Sequence, residues 1–203
     1  MATRAEQAEA GQWLANVSRD GSNGERSVLV VGESETFEYS VNLARQHSTW
    51  KITATQFDPL GSSSVPQLPN LTVLGGVDAR ALQAHFSANT FDDVVFNAPR
   101  ANKGWVRETG DLIDSVLMSA RSVVRSGGVA RFSSGRGMPG VARLAGHAQG
   151  NESFPFPLDY SPPIVEDYLN DPNFGVRYTP RNNTGGALPV PLSAMKWYNF
   201  LVK

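Results

Sequence analysis

Hydrophobic and polar positions along this chain fall into short apolar runs separated by longer mixed stretches, and the two kinds alternate. Val28-Leu29-Val30-Val31 is a continuous, largely β-branched run that stops at Gly32. Such a run suits a strand buried on both faces of a parallel sheet. After the glycine turn, Phe37, Val41, Leu43 and Ala44 mark a helical stripe. Trp50 to Phe57 alternates apolar and polar residues as a second strand, ends at Asp58-Pro59, and leads into a Gly-, Ser- and Pro-rich loop at 61–70. Leu71 to Leu74 reads as a third strand, the stretch through Phe86 as a brief helix, and Phe91 to Phe96 as a fourth strand. From Thr109 to Arg125 the apolar residues keep helical spacing, and Gly127-Gly128 is expected to stop that helix before a fifth strand, Val129 to Phe132. Val141, Leu144 and Ala145 open a further helix ending near Gly150.

Strands alternating with helices at this spacing predict an α/β fold with a doubly wound, mostly parallel, Rossmann-like sheet. Residues 1–24 read as an N-terminal helical arm and linker, with an amphipathic helix over 2–17, and 25–150 as the core. Residues 151–203 hold most of the 13 prolines and read as a wrap over the same domain. Within that tail, Phe174 to Tyr178 and Lys196 to Val202 are expected as late strands, an antiparallel pair at one sheet edge.

Composition narrows the chemistry. The 18 basic and 19 acidic residues nearly balance, whereas a protein held to nucleic acid by bulk charge is more basic. With no cysteine there are no disulfides and no thiolate chemistry, and none of the three histidines, His47, His85 and His147, has another at ligand spacing, so no metal is expected. No apolar run approaches the ~20 residues of a membrane span, and the first 17 residues lack a hydrophobic signal segment. A soluble, cytoplasmic protein with no membrane partner is the expectation.

Ligands of doubly wound sheets collect beyond the carboxyl ends of the strands. Those ends deliver Gly32, Glu33 and Ser34 from the first strand, Asp58 from the second, Asp78 after the third, and Asn97, Pro99 and Arg100 from the fourth. A carboxylate after the second strand suits ribose hydroxyls, and one after the third an adenine amino group. Each acid alone could equally be a helix cap or a solvated loop residue. Only the first glycine of a pyrophosphate fingerprint is present and no phosphate-loop lysine occurs, so a nucleoside cofactor without phosphate fits. S-adenosylmethionine is such a molecule.

The stretches VLVVGESETF (28–37), ITATQFDP (52–59), LGGVDARAL (74–82), FDDVVFNAPR (91–100) and SGGVARFSSGRGMPG (126–140) carry a resemblance, in order and spacing. The chain resembles the Rossmann-like family of ribosomal RNA uridine methyltransferases, which modify ring nitrogen three of a uridine in large-subunit RNA. The resemblance implies a class I methyltransferase fold and S-adenosylmethionine as cofactor. It directs Gly32, Glu33, Asp58 and Asp78 to the cofactor, and Asn97-Ala98-Pro99-Arg100 to the transferred methyl. The chain departs from the family at Ser34, which replaces a second glycine, and at Ala98 and Arg100, where the family has an aromatic and a histidine. The general base and the acceptor are therefore open.

Methyl transfer from a sulfonium is an in-line displacement, so positioning dominates. Arg100 is the candidate to favour an imide anion, Asn97 to orient the ring, and Trp105 to stack on it. The stretch from Ser119 to Asn151 has no acid but five arginines, Arg121, Arg125, Arg131, Arg136 and Arg143, which could follow a phosphate backbone if they shared a face. Two acceptors stay in play, a small nitrogen heterocycle and a base in ribosomal RNA. The neutral charge tips the reading toward the small molecule. A non-catalytic S-adenosylmethionine-binding protein is the third possibility, and the oligomeric state is open.

Overall fold

In the computed structural model, the structure describes residues 24–61, 65–101, 106–149, 160–161, 163–180 and 190–203. The N-terminal arm's helix and Trp105 lie outside the described residues. Seven strands form one sheet: β1 (Ser27–Val31), β2 (Lys51–Thr55), β3 (Leu71–Leu74), β4 (Phe91–Asn97), β5 (Val124–Gly135), β6 (Ile164–Asp167) and β7 (Met195–Leu201). Their spatial order is β3-β2-β1-β4-β5-β7-β6. The pairs from β3 through β5 are parallel, and β7 runs antiparallel to both β5 and β6. The order reverses between β1 and β4, which is where a doubly wound sheet opens its crevice.

Helices cover both faces: α1 (Glu38–Gln46), α2 (Val106–Val123) and α3 (Val141–Ala148), with a 3-10 turn at Ala79–Ala84. On the α2 side, Leu29, Val31, Val94, Phe96 and Phe132 pack against Ile113, Val116, Leu117 and Ala120. On the α1 side, Val28, Val30, Val95 and Trp197 pack with Tyr39, Leu43 and Trp50. These positions are the alternating residues of each strand, so the continuous apolar run of β1 is buried on both faces.

Two expectations are corrected. Gly127-Gly128 does not terminate the helix, which ends at Val123 and passes at once into β5. The strand pairs Val124 with Phe91, then Val129 with Asp93, and the intervening residues bulge. Gly127 takes φ +79° there, and a Cβ on Gly128 would lie 2.5 Å from the Asp92 carbonyl, so the glycines serve a bulge. Nor is Phe174 to Tyr178 a strand. The antiparallel edge pair is β6 with β7, while residues 172–178 run as a strap across α1. Side chains of α1 claim the strap's carbonyls: Tyr39 donates to Phe174 O (3.2 Å), Asn42 to Arg177 O (3.0 Å) and Gln46 to Pro172 O (2.9 Å). Carbonyls held one by one by a helix are not free for a ladder.

Beneath the strap lies an ion network. Asp93, fully buried, accepts from Arg26 Nε (2.5 Å) and Arg131 Nε (2.8 Å). Arg131 also donates to Asn199 (3.1 Å) and stands 4.1 Å over the Phe174 ring. Burial alone would raise the Asp93 pKa; the two guanidiniums outweigh it and hold the carboxyl below its ordinary range.

Candidate functional site

Beyond the carboxyl ends of β1, β2, β3 and β4 lies a hollow of about 500 Å³. Gly32, Glu33, Ser34, Asp58, Asp78, Asn97 and Arg100 all line it, so strands as far apart as β3 and β4 bring the expected residues together. Pro99 does not line it; it is buried, 3.6 Å from where a Cβ on Gly140 would stand.

Each residue is held by its own local device. Gly32 has φ +68°, and a Cβ there would sit 2.5 Å from the Phe96 ring, so both conformation and close approach call for glycine. The turn is clamped to β2 by the Glu33 N–H donating to Thr55 O (2.9 Å). Glu33 Oε1 then accepts from the Ser40 N–H (2.9 Å) and the Ser40 hydroxyl, capping the first turn of α1. Burial pushes its carboxyl up to about 7 even though the Ser40 hydrogen bonds pull it down. Asp58 is exposed, and the loop after β3 fixes it in place: the Gly76 N–H donates to its carbonyl (3.0 Å), and a Cβ on Gly75 would strike the Leu60 backbone.

Asp78 does two jobs. It caps the 3-10 turn by accepting from the Arg80 N–H (2.9 Å), and its carboxylate is gripped by the Arg80 guanidinium (Nη2–Oδ2 2.6 Å). That guanidinium holds the Asp78 carboxyl below its usual range. A ligand at this corner meets a carboxylate–guanidinium pair. Ala98 has a left-handed φ of +49°, a conformation that costs free energy in a residue with a Cβ. It is pinned by its N–H, which donates to Ser133 O (3.0 Å) and Ser133 Oγ (3.1 Å). Asn97 Oδ1 accepts from Ser133 Oγ (3.0 Å), whereas Asn97 Nδ2 is buried without a hydrogen-bond partner. Arg100 is exposed on the hollow's wall and makes no ion pair among the described residues.

Sequence reasoning missed several lining residues. Phe57, 56 % exposed, presents a ring beside Asp58 where a flat base could stack. Its signal was present, an aromatic immediately before the strand-end acid. Glu108, Asp111 and Ser115 of α2 form the far wall, and nothing local in the sequence marks them. The five arginines after Ser119 do not form one phosphate-following face. Arg131 is in the buried network, Arg125 pairs with Asp92, and Arg143 pairs with Asp111 (3.3 Å) and Asp114 (3.4 Å). Among the described residues, no three His, Cys, Asp or Glu side chains are grouped to hold a metal, and no helix is long and apolar enough to cross a membrane.

The fold superposes on solved structures over nearly the whole chain. A 16S rRNA (adenine(1408)-N(1))-methyltransferase from Catenulisporales acidiphilia superposes with a TM-score of 0.57, covering 95% of this chain and 92% of that one, at 15% identity. The fold is that of the class I methyltransferases. TrmN from Thermus thermophilus gives a TM-score of 0.55 at 15% identity over 94% of this chain and 48% of its own. The 16S rRNA methyltransferase KamB gives 0.51 at 14% identity over 93% and 94%. No known family's sequence profile matches the chain, and no curated protein matches it by sequence.

Proposed function

We propose that this chain is an S-adenosylmethionine-dependent methyltransferase acting on a ring nitrogen of a base in RNA. The observation that carries the reading is the convergence of Asp58, Asp78, Asn97 and Arg100 on one hollow at the β1/β4 switch point of a class I methyltransferase sheet. Adenosine would lie over Phe57, its ribose toward Asp58 and its amino group toward the Asp78–Arg80 pair. The sulfonium would lie near Gly32 and Asn97, in a hollow whose lining acids, Glu35, Asp58, Asp78, Glu108 and Asp111 among them, outnumber Arg80 and Arg100. An excess of fixed carboxylates favours a cationic methyl donor.

With no cysteine available as an intermediate nucleophile, S-adenosylmethionine held by these residues would supply a methyl group for direct transfer to the acceptor nitrogen, leaving as the neutral thioether. A lactam nitrogen gives up its proton to solvent water in the open hollow before or during attack. Arg100 assists by drawing negative charge onto a neighbouring carbonyl oxygen. Asn97, its Oδ1 already held by Ser133, has only its NH2 to offer the ring.

Two of the three structural neighbours described above are 16S rRNA methyltransferases, and this supports the RNA base over the small free heterocycle that the neutral charge balance favours on sequence grounds. The acceptor atom, nitrogen three of a uridine in the family whose motifs the sequence resembles, belongs to this same reading. Arg100→Ala is its test. With ribosomal RNA transcripts as acceptor, product formation should fall about 10²-fold or more, while S-adenosylmethionine affinity by calorimetry changes less than about threefold. Loss of both together makes Arg100 structural, and binding by the wild type without transfer to any base would mean a non-catalytic binder.

A further inference from the structure

A second hollow, about 30 Å³, opens beside the large one and shares Gly32, Glu33, Ser34, Asn97 and Ala98 with it; its remaining wall is Val30 and Val31 of β1, Glu38 of α1, and Tyr178, Thr179 and Pro180 at the end of the strap. That volume is on the scale of one water molecule or one ligand oxygen. Two residues that line it from distant elements, Asn97 at the end of β4 and Tyr178 on the strap, each carry a buried polar atom with no partner in hydrogen-bond geometry, Nδ2 and Oη, although Tyr39 lies near the first side chain and Ser133 near the second. Buried polar groups are nearly always paired, so two orphans around one hollow call for an explanation.

Their polarity is determined by the surroundings. Ser133 Oγ receives the Ala98 N–H (3.1 Å) and so gives its single proton to Asn97 Oδ1 (3.0 Å), which leaves the amide NH2 as the free end. Burial pushes the Tyr178 phenol pKa far up, so the hydroxyl keeps its proton. The acids at the rim are already occupied: Glu33 Oε1 by Ser40, and Glu38 Oε1 by the Thr179 N–H (3.2 Å). Tyr178 itself is well fixed. Its ring packs edge-on against Tyr39 at 5.3 Å, and Asn42 holds the preceding carbonyl.

We propose that this hollow is an oxygen subsite of the methyl-transfer site, in which Tyr178 Oη and Asn97 Nδ2 both donate to one carbonyl-type oxygen of a bound ligand. The assignment rests on the nucleoside-cofactor reading above. Two sources carry such an oxygen, the carboxylate of the cofactor's amino-acid part and a ring carbonyl of the acceptor base. Tyr178→Phe removes one atom that has no partner in the free protein, so its melting temperature should stay within about 2 °C of wild type. A ligand that uses the hydroxyl should lose about tenfold.

Calorimetry with S-adenosylmethionine, S-adenosylhomocysteine and 5′-methylthioadenosine, together with KM and kcat for ribosomal RNA transcripts, separates the sources. Weakened binding of the first two but not of 5′-methylthioadenosine, which lacks the carboxylate, assigns the oxygen to the cofactor. Unchanged cofactor binding with a raised KM assigns it to the acceptor. If Tyr178→Phe moves neither, the hollow holds a water only and the inference falls while the methyltransferase reading stands. A wild-type protein that binds none of the three nucleosides overturns both.

Discussion

Asp93 and Asn97 stand four residues apart on β4 and face the same side of the sheet, yet the fold treats them oppositely. Asp93, mid-strand, has both carboxylate oxygens bonded and a guanidinium on either side. Asn97, at the strand's end, has one side of its amide bonded and the other buried and unused. A buried polar network is stabilising only when every member is satisfied. The saturated centre therefore reads as architecture, joining the segment before β1, the middle of the sheet and the strap. The unsaturated one reads as a place kept ready for a ligand, its cost carried by the packing around it.

The sharpest way to break that contrast is Asp93→Ala. It leaves Arg26 and Arg131 buried without their shared anion and should cost about 3–5 kcal/mol of stability in urea titrations. Because its folded pKa is depressed, the Asp93 contribution is present above the ordinary value of 3.8 and is lost as pH falls through the lower folded value. Asn97→Ala should do the reverse. Stability drops by only about 1 kcal/mol, for the lost Ser133 bond, while methyl transfer falls about 10²-fold. Equal damage to stability at the two positions would erase the distinction. The smallest effect is expected at Glu33. Its folded pKa of about 7 lies above the ordinary 4.5, so the folded chain binds more protons between those values and stability declines as pH rises through that window. Glu33→Gln should flatten the dependence of melting temperature on pH there by a few degrees.

Asp78 sharpens the comparison further, since it is both saturated and in the hollow. Its bidentate hold on Arg80 makes it a cap in the free protein, and the pair lines the hollow in which the proposed function places the cofactor.

Much of this molecule was legible in its residues. The β-branched run before Gly32, the helical spacing across Ile113 to Val123 and the acids after the first three strands depend on neighbours within a few positions, and local patterns survive translation into sequence. Rossmann-like winding and the convergence of Asp58, Asp78 and Asn97 follow once strands and helices alternate, because topology then dictates which strand ends meet. Misreadings occurred where a distant partner outvoted the local signal. Gly127-Gly128 has the chemistry of a helix stop, but Gly127 donates to Val202 O (2.9 Å) and joins a strand. Phe174 to Tyr178 has strand propensity, but α1 takes its carbonyls.

What the sequence determined alone was the α/β class, the glycine turn and the set of polar residues at the strand ends, since each rests on short-range periodicity and backbone stereochemistry. Only the tertiary structure decided which of those polar groups are satisfied. Saturation depends on atoms brought together across 36 residues for Asn97 and Ser133 and 38 for Asp93 and Arg131, and hydrogen-bond geometry over such separations exists only after the chain has folded.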